Sequence, residues 1–344
     1  MPFQRALDPT KRIPLAELHS HLGGAVDSAI LWTLAHQQGI KLPTKNYWEF
    51  DRMVTISTDR KKLEGVTALD KEKYHWTELI QSSPLAMEPT VHETIGGAYR
   101  ANHVVVHEIR YNPMKRNRGG ERDLDHIILS SIRGMEQATL EYEEVRAGII
   151  LLLDRTFPFK LNEIIYQKTL KYQHRGVVGI DIAGPQHPDF RMQEYADLFQ
   201  DAKRHGLGVT IHTGEEGDLS EMKFVVEKIQ PQRIGHGFLA AHDRALLRSL
   251  VEQGIVLELC PTSNLNIGTI ASVSKLKKMY RALYEARVEL TINTDGPEMY
   301  GTTLWKEFNF LRENGVFTEE ELSELRSNAM KATFVPANGS VGLI

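Results

Sequence analysis

Short apolar runs rich in β-branched residues recur along the chain, each bounded by glycine, proline or a charged turn, with longer amphipathic segments between them. The runs are eight, at 13–21, 103–113, 147–154, 176–185, 207–216, 233–237, 254–264 and 288–297. Between them, segments such as "QEYADLFQDAKRHG" and "VSKLKKMYRALYEA" place apolar residues at helical spacing. Alternation of strands with helices predicts an α/β chain folded as one (β/α)8 TIM barrel over residues 1–344, a fold that typically takes about 250 residues and leaves room for insertions. The surplus is uneven, since about eighty residues separate the first two runs. This insertion carries "LPTKNYWEFDRMVTISTDRKKLEG", with Tyr47, Trp48 and Phe50 close together. Those aromatics fit either a lid over the barrel mouth at 40–75 or extra helices with a small satellite core.

Composition narrows the partners. Forty-one basic against 45 acidic residues give a net charge of −4, with no long run of one sign to serve as a nucleic-acid arm, so a small-molecule partner is expected. The single Cys260 excludes an internal disulfide framework and a cysteine-based metal site. Any bound metal is then held by histidine and carboxylate. The N-terminus has no apolar core of signal-peptide length, and no run approaches the ~18 apolar residues needed to cross a bilayer, so a soluble, cytoplasmic protein without membrane contact is expected. Oligomeric state is open.

The chemistry is concentrated where the runs end. His19 and His21, in "ELHSHLGG", are two apart on a strand; such residues face one side, roughly 6.5–7 Å apart at the backbone, so both imidazoles can converge on one ion. The spacing arises often by chance, and its weight comes from its place at a strand end. Two further strand ends offer His212 in "VTIHTGEE" and Asp295 in "TINTDGP". Three imidazoles and a carboxylate at a barrel's C-terminal mouth suit one Zn²⁺ or a related divalent ion. Glu215, three residues past His212 and beyond a glycine, is placed to face the same cavity; partly desolvated, it would donate a proton to a heterocyclic nitrogen. His236, between glycines in "RIGHGF", is the candidate to orient or deprotonate a water. Each residue taken singly also fits a structural histidine or a helix-terminal charge. His103 and His107 flank "VVV", where four residues along a strand span roughly 13 Å, too far to share an ion. His187 and His242 have no companion pattern, and Cys260 reads as a small buried apolar residue.

The motifs "ELHSHLGGA", "RYNP", "GIDIAG", "HTGEE", "RIGHG", "CPTSN" and "NTDGP", in that order across residues 17–297, resemble the adenosine deaminase branch of the metal-dependent amidohydrolases. The resemblance implies a (β/α)8 barrel with one zinc, adding water to a ring carbon that bears an amino group and releasing ammonia. It implies His19, His21, His212 and Asp295 as zinc ligands, Glu215 as the acid to the ring nitrogen and His236 as the group that positions and helps deprotonate the water. Asp295 would also hold the hydroxide, and Gly184 matches a glycine whose backbone meets the purine edge.

Two positions depart from that pattern. The family's metal aspartate is usually followed by a second carboxylate that contacts a purine nitrogen; this chain has Gly296. Two residues past the second histidine, where the family tends to carry Asp or Glu, it has Gly23. Both changes spare the ion and proton-transfer groups but remove polar contacts worth a few kcal/mol, so ordinary adenosine is expected to be poor. Gly296 would instead leave room for a bulkier aromatic amine, such as a modified aminopurine or a pterin-like ring, with Glu298, Gln186 or His187 as possible substitutes for the lost contacts. Two other functions stay open: a hydrolase of cyclic amides or esters from the same superfamily, and a barrel that has lost catalysis and binds.

Overall fold

Each apolar run contributes one strand: β1 (Leu15–His21), β2 (Val104–Tyr111), β3 (Arg146–Asp154), β4 (Val177–Ala183), β5 (Gly208–Thr213), β6 (Arg233–His236), β7 (Val256–Leu259) and β8 (Leu290–Ile292). The computed structural model describes residues 13–56, 63–117, 124–217 and 219–337. The strands pair in parallel in chain order, with helices filling the returns. Closure between β8 and β1 is made just past the end of β8, where His21 N donates to Asp295 O at 2.6 Å and Asp295 N donates to His19 O at 2.9 Å. The closing seam is therefore built from three of the candidate metal ligands. This is a (β/α)8 barrel.

Alternation along the strands sorts side chains between the barrel interior and the helical shell. On β2, Tyr111 turns outward and its hydroxyl meets Ser131 Oγ, on the helix Leu124–Glu141, at 2.6 Å. Glu108 and Arg110 join a charge network across the barrel instead. Arg110 reaches Asp181 at 2.7 Å and Glu258 at 2.9 Å, while Arg233 reaches Glu258 at 2.6 Å; all four side chains are buried. Such a network adds little net stability while complete, but loss of one partner strands a buried charge at a cost of about 3–5 kcal/mol.

Between β1 and β2 lie the helices Ser28–Gln37, Tyr47–Val54, Gly65–Leu69, His75–Ile80 and Pro84–Asn102, with a π-helical turn at Asp70–Tyr74. Phe50 is fully buried with its ring 5.2 Å from that of Trp32, Tyr47 stands 5.8 Å from Trp32, and Trp48 is 67% exposed. Phe50 and Trp32 thus join the main hydrophobic core rather than a satellite one, and Trp48 stands out of it. The insertion residues that reach the mouth come later, Val66, Leu69, Asp70, Tyr74 and Glu78. Residues 57–62 of the insertion lie outside the described residues. Among the described residues no helix is long and apolar enough to cross a membrane.

Candidate active site

A cavity opens at the C-terminal ends of the strands, lined by His21, His212, Glu215, His236 and Asp295 together with Asp70, Lys115 and Asp154. Ring nitrogens of His19, His21 and His212 all lie within 4.8 Å of one another. His21 Nε2 is 3.1 Å from His212 Nε2 and 3.6 Å from Asp295 Oδ1. Burial, reinforced for His19 and His212 by the Arg110 charge and for His21 by His212, holds all three imidazoles well below their ordinary pKa, so they stay neutral. Their tautomers are set from behind. His19 Nδ1 meets Glu258 at 2.7 Å and His212 Nδ1 meets Asp181 at 2.9 Å, so each donates its ring proton to a carboxylate and turns a bare Nε2 toward the others. His19 Nε2 is buried without a hydrogen-bond partner. Lone pairs that converge in this way, beside a carboxylate, fit a divalent cation.

Arg110 holds both supporting carboxylates, and so ties the orientation of His19 to that of His212. None of these three was singled out from sequence. The signal present was a charged residue inside an otherwise apolar strand in "GIDIA" and "VLEL", and a pair of opposite charges within the strand in "HEIRY". Such a residue, once buried, must find a partner.

His236 and Asp295 adopt left-handed backbone, with φ of 61° and 66°. For residues other than glycine this conformation costs on the order of 1–3 kcal/mol, and it re-aims both side chains at the point where their strands end. Ser263 Oγ donates to Asp295, whose carboxyl is pushed up to about 6 by burial against that hydrogen bond. The next residue, Asn264, donates from Nδ2 to Glu215 Oε1 at 3.1 Å and lies 3.1 Å from His236 Nδ1. Both arrive on the short helix Pro261–Asn266 after β7. With Asn264 on its Nδ1 side, His236 presents Nε2 to the cavity, 3.5 Å from Glu215 Oε2. Burial first, then the charges of Asp295 and Glu216, raise the Glu215 pKa well above the carboxylate range. Glu216 accepts from Val66 N at 2.9 Å and so clasps the insertion to the mouth.

The three glycines separate. Gly184 lines the cavity with φ of +96°, and a Cβ there would stand 3.1 Å from Asp154 Oδ1, so a side chain would be strained by the backbone and crowd Asp154. Gly23 and Gly296 do not line the cavity. A Cβ at Gly23 would lie 2.7 Å from the Tyr74 ring; one at Gly296 would lie 3.1 Å from Gly24 Cα and 3.3 Å from the Tyr300 ring. The room expected at Gly296 is therefore absent: two glycine backbones touch there, and the insertion's tyrosine closes over Gly23. Gly296→Asp is accordingly expected to cost about 1–3 kcal/mol through overpacking. Thermal unfolding would show it, and an unchanged midpoint would contradict the close contact. Nor do the proposed substitutes reach the ring: Glu298 lines a separate cavity behind β1, and Gln186 and His187 are exposed.

Histidines outside the cluster have local roles. His103 ends the helix Pro84–Asn102 in left-handed backbone just before β2 and meets Glu144 at 3.0 Å. His107 is buried, away from the mouth cavity, and His242 is exposed. Cys260 is buried with ligand-range approach to His19 and His236, but burial and then the Asp295 charge push its thiol pKa up, which keeps it protonated.

The profile of the adenosine deaminase family matches residues 14–344. The chain belongs to the adenosine deaminase family. It is thus a hydrolase of amidine C–N bonds. Adenosine deaminase of Shewanella denitrificans is 26% identical over 325 residues, 94% of this chain and 95% of the relative. That of Clostridium botulinum strain Okra is 28% identical over 324 residues, 94% of each. Among solved structures, adenine deaminase from Arthrobacter aurescens superposes with a TM-score of 0.81 at 21% identity, covering 94% of this chain and 95% of that one. The N6-methyl-AMP deaminase from Arabidopsis thaliana gives 0.79 at 20% identity, covering 96% and 94%. The family is metal-dependent, and the carboxylates behind its imidazoles give a direct test. Glu258→Gln is expected to weaken metal affinity about 10–100-fold by releasing the His19 tautomer. Competition with a chromogenic chelator measures this, and unchanged affinity would remove Glu258 from that role.

Proposed function

We propose that this chain is a zinc-dependent aminohydrolase that removes an exocyclic amino group from a purine-like or related heterocycle as ammonia. The observation that carries the proposal is the placement of Glu215, raised in pKa, on the cavity lined by His21, His212 and the Asp295 carboxylate, with His19 clustered against those imidazoles. His19, His21, His212 and Asp295 would hold the ion. When bound, a divalent ion supplies Lewis acidity that brings the pKa of water to about 7.

The protein's own groups supply the rest. Glu215, whose raised pKa favours its protonated form, donates to the ring nitrogen beside the attacked carbon, which makes that carbon electrophilic. His236, neutral because burial lowers its pKa, takes up or steers a proton of the attacking water. Asp295, held by the Ser263 hydroxyl, fixes the water's other side. The C–N bond to the amino group breaks, the nitrogen leaves as ammonia with the protons gathered at the site, and the ring keeps a carbonyl oxygen. Gly184, whose positive φ favours glycine, offers its backbone to the ring edge.

With neither recognition carboxylate at positions 23 and 296, ordinary adenosine remains a poor substrate in this reading. Zinc-loaded protein is to be assayed for ammonia release over adenosine, adenine, N6-substituted adenines and adenosines, other aminopurines and aminopterins, beside the metal-free form. Release that depends on the metal, from any member, supports the reading; none from the whole panel would overturn it. A cyclic amide or ester hydrolase has no use for a protonated Glu215 and would release no ammonia.

A further inference from the structure

We propose that residues 333–335, which lie across the floor of the barrel after its last helix Glu319–Ala332, are a positioning element for the mouth. Through Phe334, Arg233 and Glu258 they hold the His19 imidazole in the form that binds a metal. The inference rests on the reading of His19 as a ligand and names what fixes it from the far end of the barrel.

The segment is seated on a buried cation. Arg233 and Gly208 open β6 and β5, at the strand ends away from the imidazoles. There the Phe334 ring centroid lies 3.6 Å from the Arg233 guanidinium carbon, well inside the ~6 Å range of cation–π attraction. Arg233 is fully buried beneath it. The strands make room for the ring by carrying glycine: a Cβ at Gly208 would run into it, and one at Gly179 would stand 3.0 Å from it. The backbone is pinned as well. Thr333 Oγ1 and Phe334 N each donate to Glu108 Oε1 at 2.6 Å, and Ala332 O accepts from Arg233 Nη1 at 2.8 Å. Glu108 Oε2 in turn accepts from Arg233 Nη2 at 2.5 Å. A plug against solvent needs only apolar cover, whereas this segment fixes a guanidinium by its face and by both of its terminal nitrogens.

The remaining donor of Arg233 points up the barrel. Its Nε donates to Glu258 Oε1 at 2.6 Å, an oxygen that also accepts from Thr210 Oγ1 at 3.0 Å. The other oxygen, Oε2, meets His19 Nδ1 at 2.7 Å and accepts from Arg110 Nη2 at 2.9 Å. Any turn of the guanidinium therefore turns the carboxylate that sets the His19 tautomer. His212 is supported differently. Its carboxylate, Asp181, accepts from Arg110 Nη1 and from Ile182 N, both at 2.7 Å. The floor segment thus bears directly on His19, and on His212 only by way of Arg110.

The test compares full-length Phe334→Ala, Phe334→Leu and Phe334→Tyr with the native protein. Ile132→Ala, at a fully buried position on the helix Leu124–Glu141, is the control for loosened packing. Chelator competition gives zinc affinity, and ¹⁵N NMR of the metal-free proteins shows which ring nitrogen of each histidine carries the proton. Phe334→Ala is expected to lower zinc affinity about 10-fold and to shift the His19 proton away from Nδ1, while His212 keeps its own. Phe334→Leu, which keeps apolar cover without a ring face, should do the same; Phe334→Tyr, which keeps the face, should stay within about 3-fold of native. In a Glu258→Gln background Phe334→Ala should add nothing, because the route is already cut. Ile132→Ala should lower the unfolding midpoint and move neither readout. A Phe334→Leu protein with native affinity and tautomer would overturn the inference. So would an equal change at His19 and His212, or an undiminished effect in the Glu258→Gln background. Native protein that takes up no zinc would instead count against the metal reading, and the His19 tautomer then decides the positioning role by itself.

Discussion

Replacing Glu215 with glutamine is expected to lower kcat by about 10²–10⁴ while leaving metal content and product binding near those of the native protein. Glutamine keeps the size of the side chain and can still accept from Asn264, which donates to Glu215 Oε1 at 3.1 Å. It has no acidic proton to give the ring. The pH dependence separates loss of an acid from loss of a contact. Glu215 has its pKa raised, by burial first and then by Asp295 and Glu216, so its active form is the protonated one, present below that raised pKa and lost as pH climbs through it. Native kcat/KM should therefore fall on the alkaline side along a limb that the Glu215→Gln profile lacks. Steady-state kinetics across pH, with metal analysis of both proteins, decides the matter. Native-like turnover in the variant, or an identical alkaline limb, would take the acid's role away from Glu215.

The second large effect is expected from His212→Ala, which removes one of three converging imidazoles. Zinc affinity should fall by more than about 100-fold, and with it the ammonia-releasing activity. The barrel itself should persist, because Asp181 keeps its 2.7 Å pair with Arg110 when the His212 ring is gone. Thermal unfolding gives a readout free of activity. A ligand that binds only the folded state stabilises it by about 2.7 kcal/mol when present at 100 times its Kd. The native midpoint should thus rise with added zinc and that of His212→Ala should not. Full zinc retention after dialysis against chelator, or a zinc-dependent rise in the variant, would exclude His212 as a ligand.

Legibility followed physical range. Eight strands could be read because a buried parallel strand declares itself locally, as a short apolar run stopped by glycine, proline or charge. Overshoot occurred where a turn begins inside the run. The stretch 254–264 contains only four strand residues, Val256–Leu259, since Pro261 suits the first turn of a helix and opens Pro261–Asn266. That short helix carries Ser263 and Asn264, the residues that orient Asp295, Glu215 and His236. Tyr47, Trp48 and Phe50 announced an insertion but not where it packs, and it is Trp32, on an earlier helix, that gathers Tyr47 and Phe50 into the main core.

By itself the sequence determined that the chain is an eight-stranded α/β barrel and that histidines, a glutamate and an aspartate end its strands, because strand periodicity and strand ends are set by neighbours along the chain. Only the tertiary structure decided how those groups are tuned and what they face. Arg110 joins Asp181 to Glu258 across the barrel, Gly24 meets Gly296 from opposite ends of the chain, and Asp70 reaches Lys115 from a separate segment. Each of these contacts depends on tertiary folding, which brings together residues that no local pattern relates. Burial then converts that proximity into pKa shifts and charge balance, the quantities that determine reactivity and the ligand the site accepts.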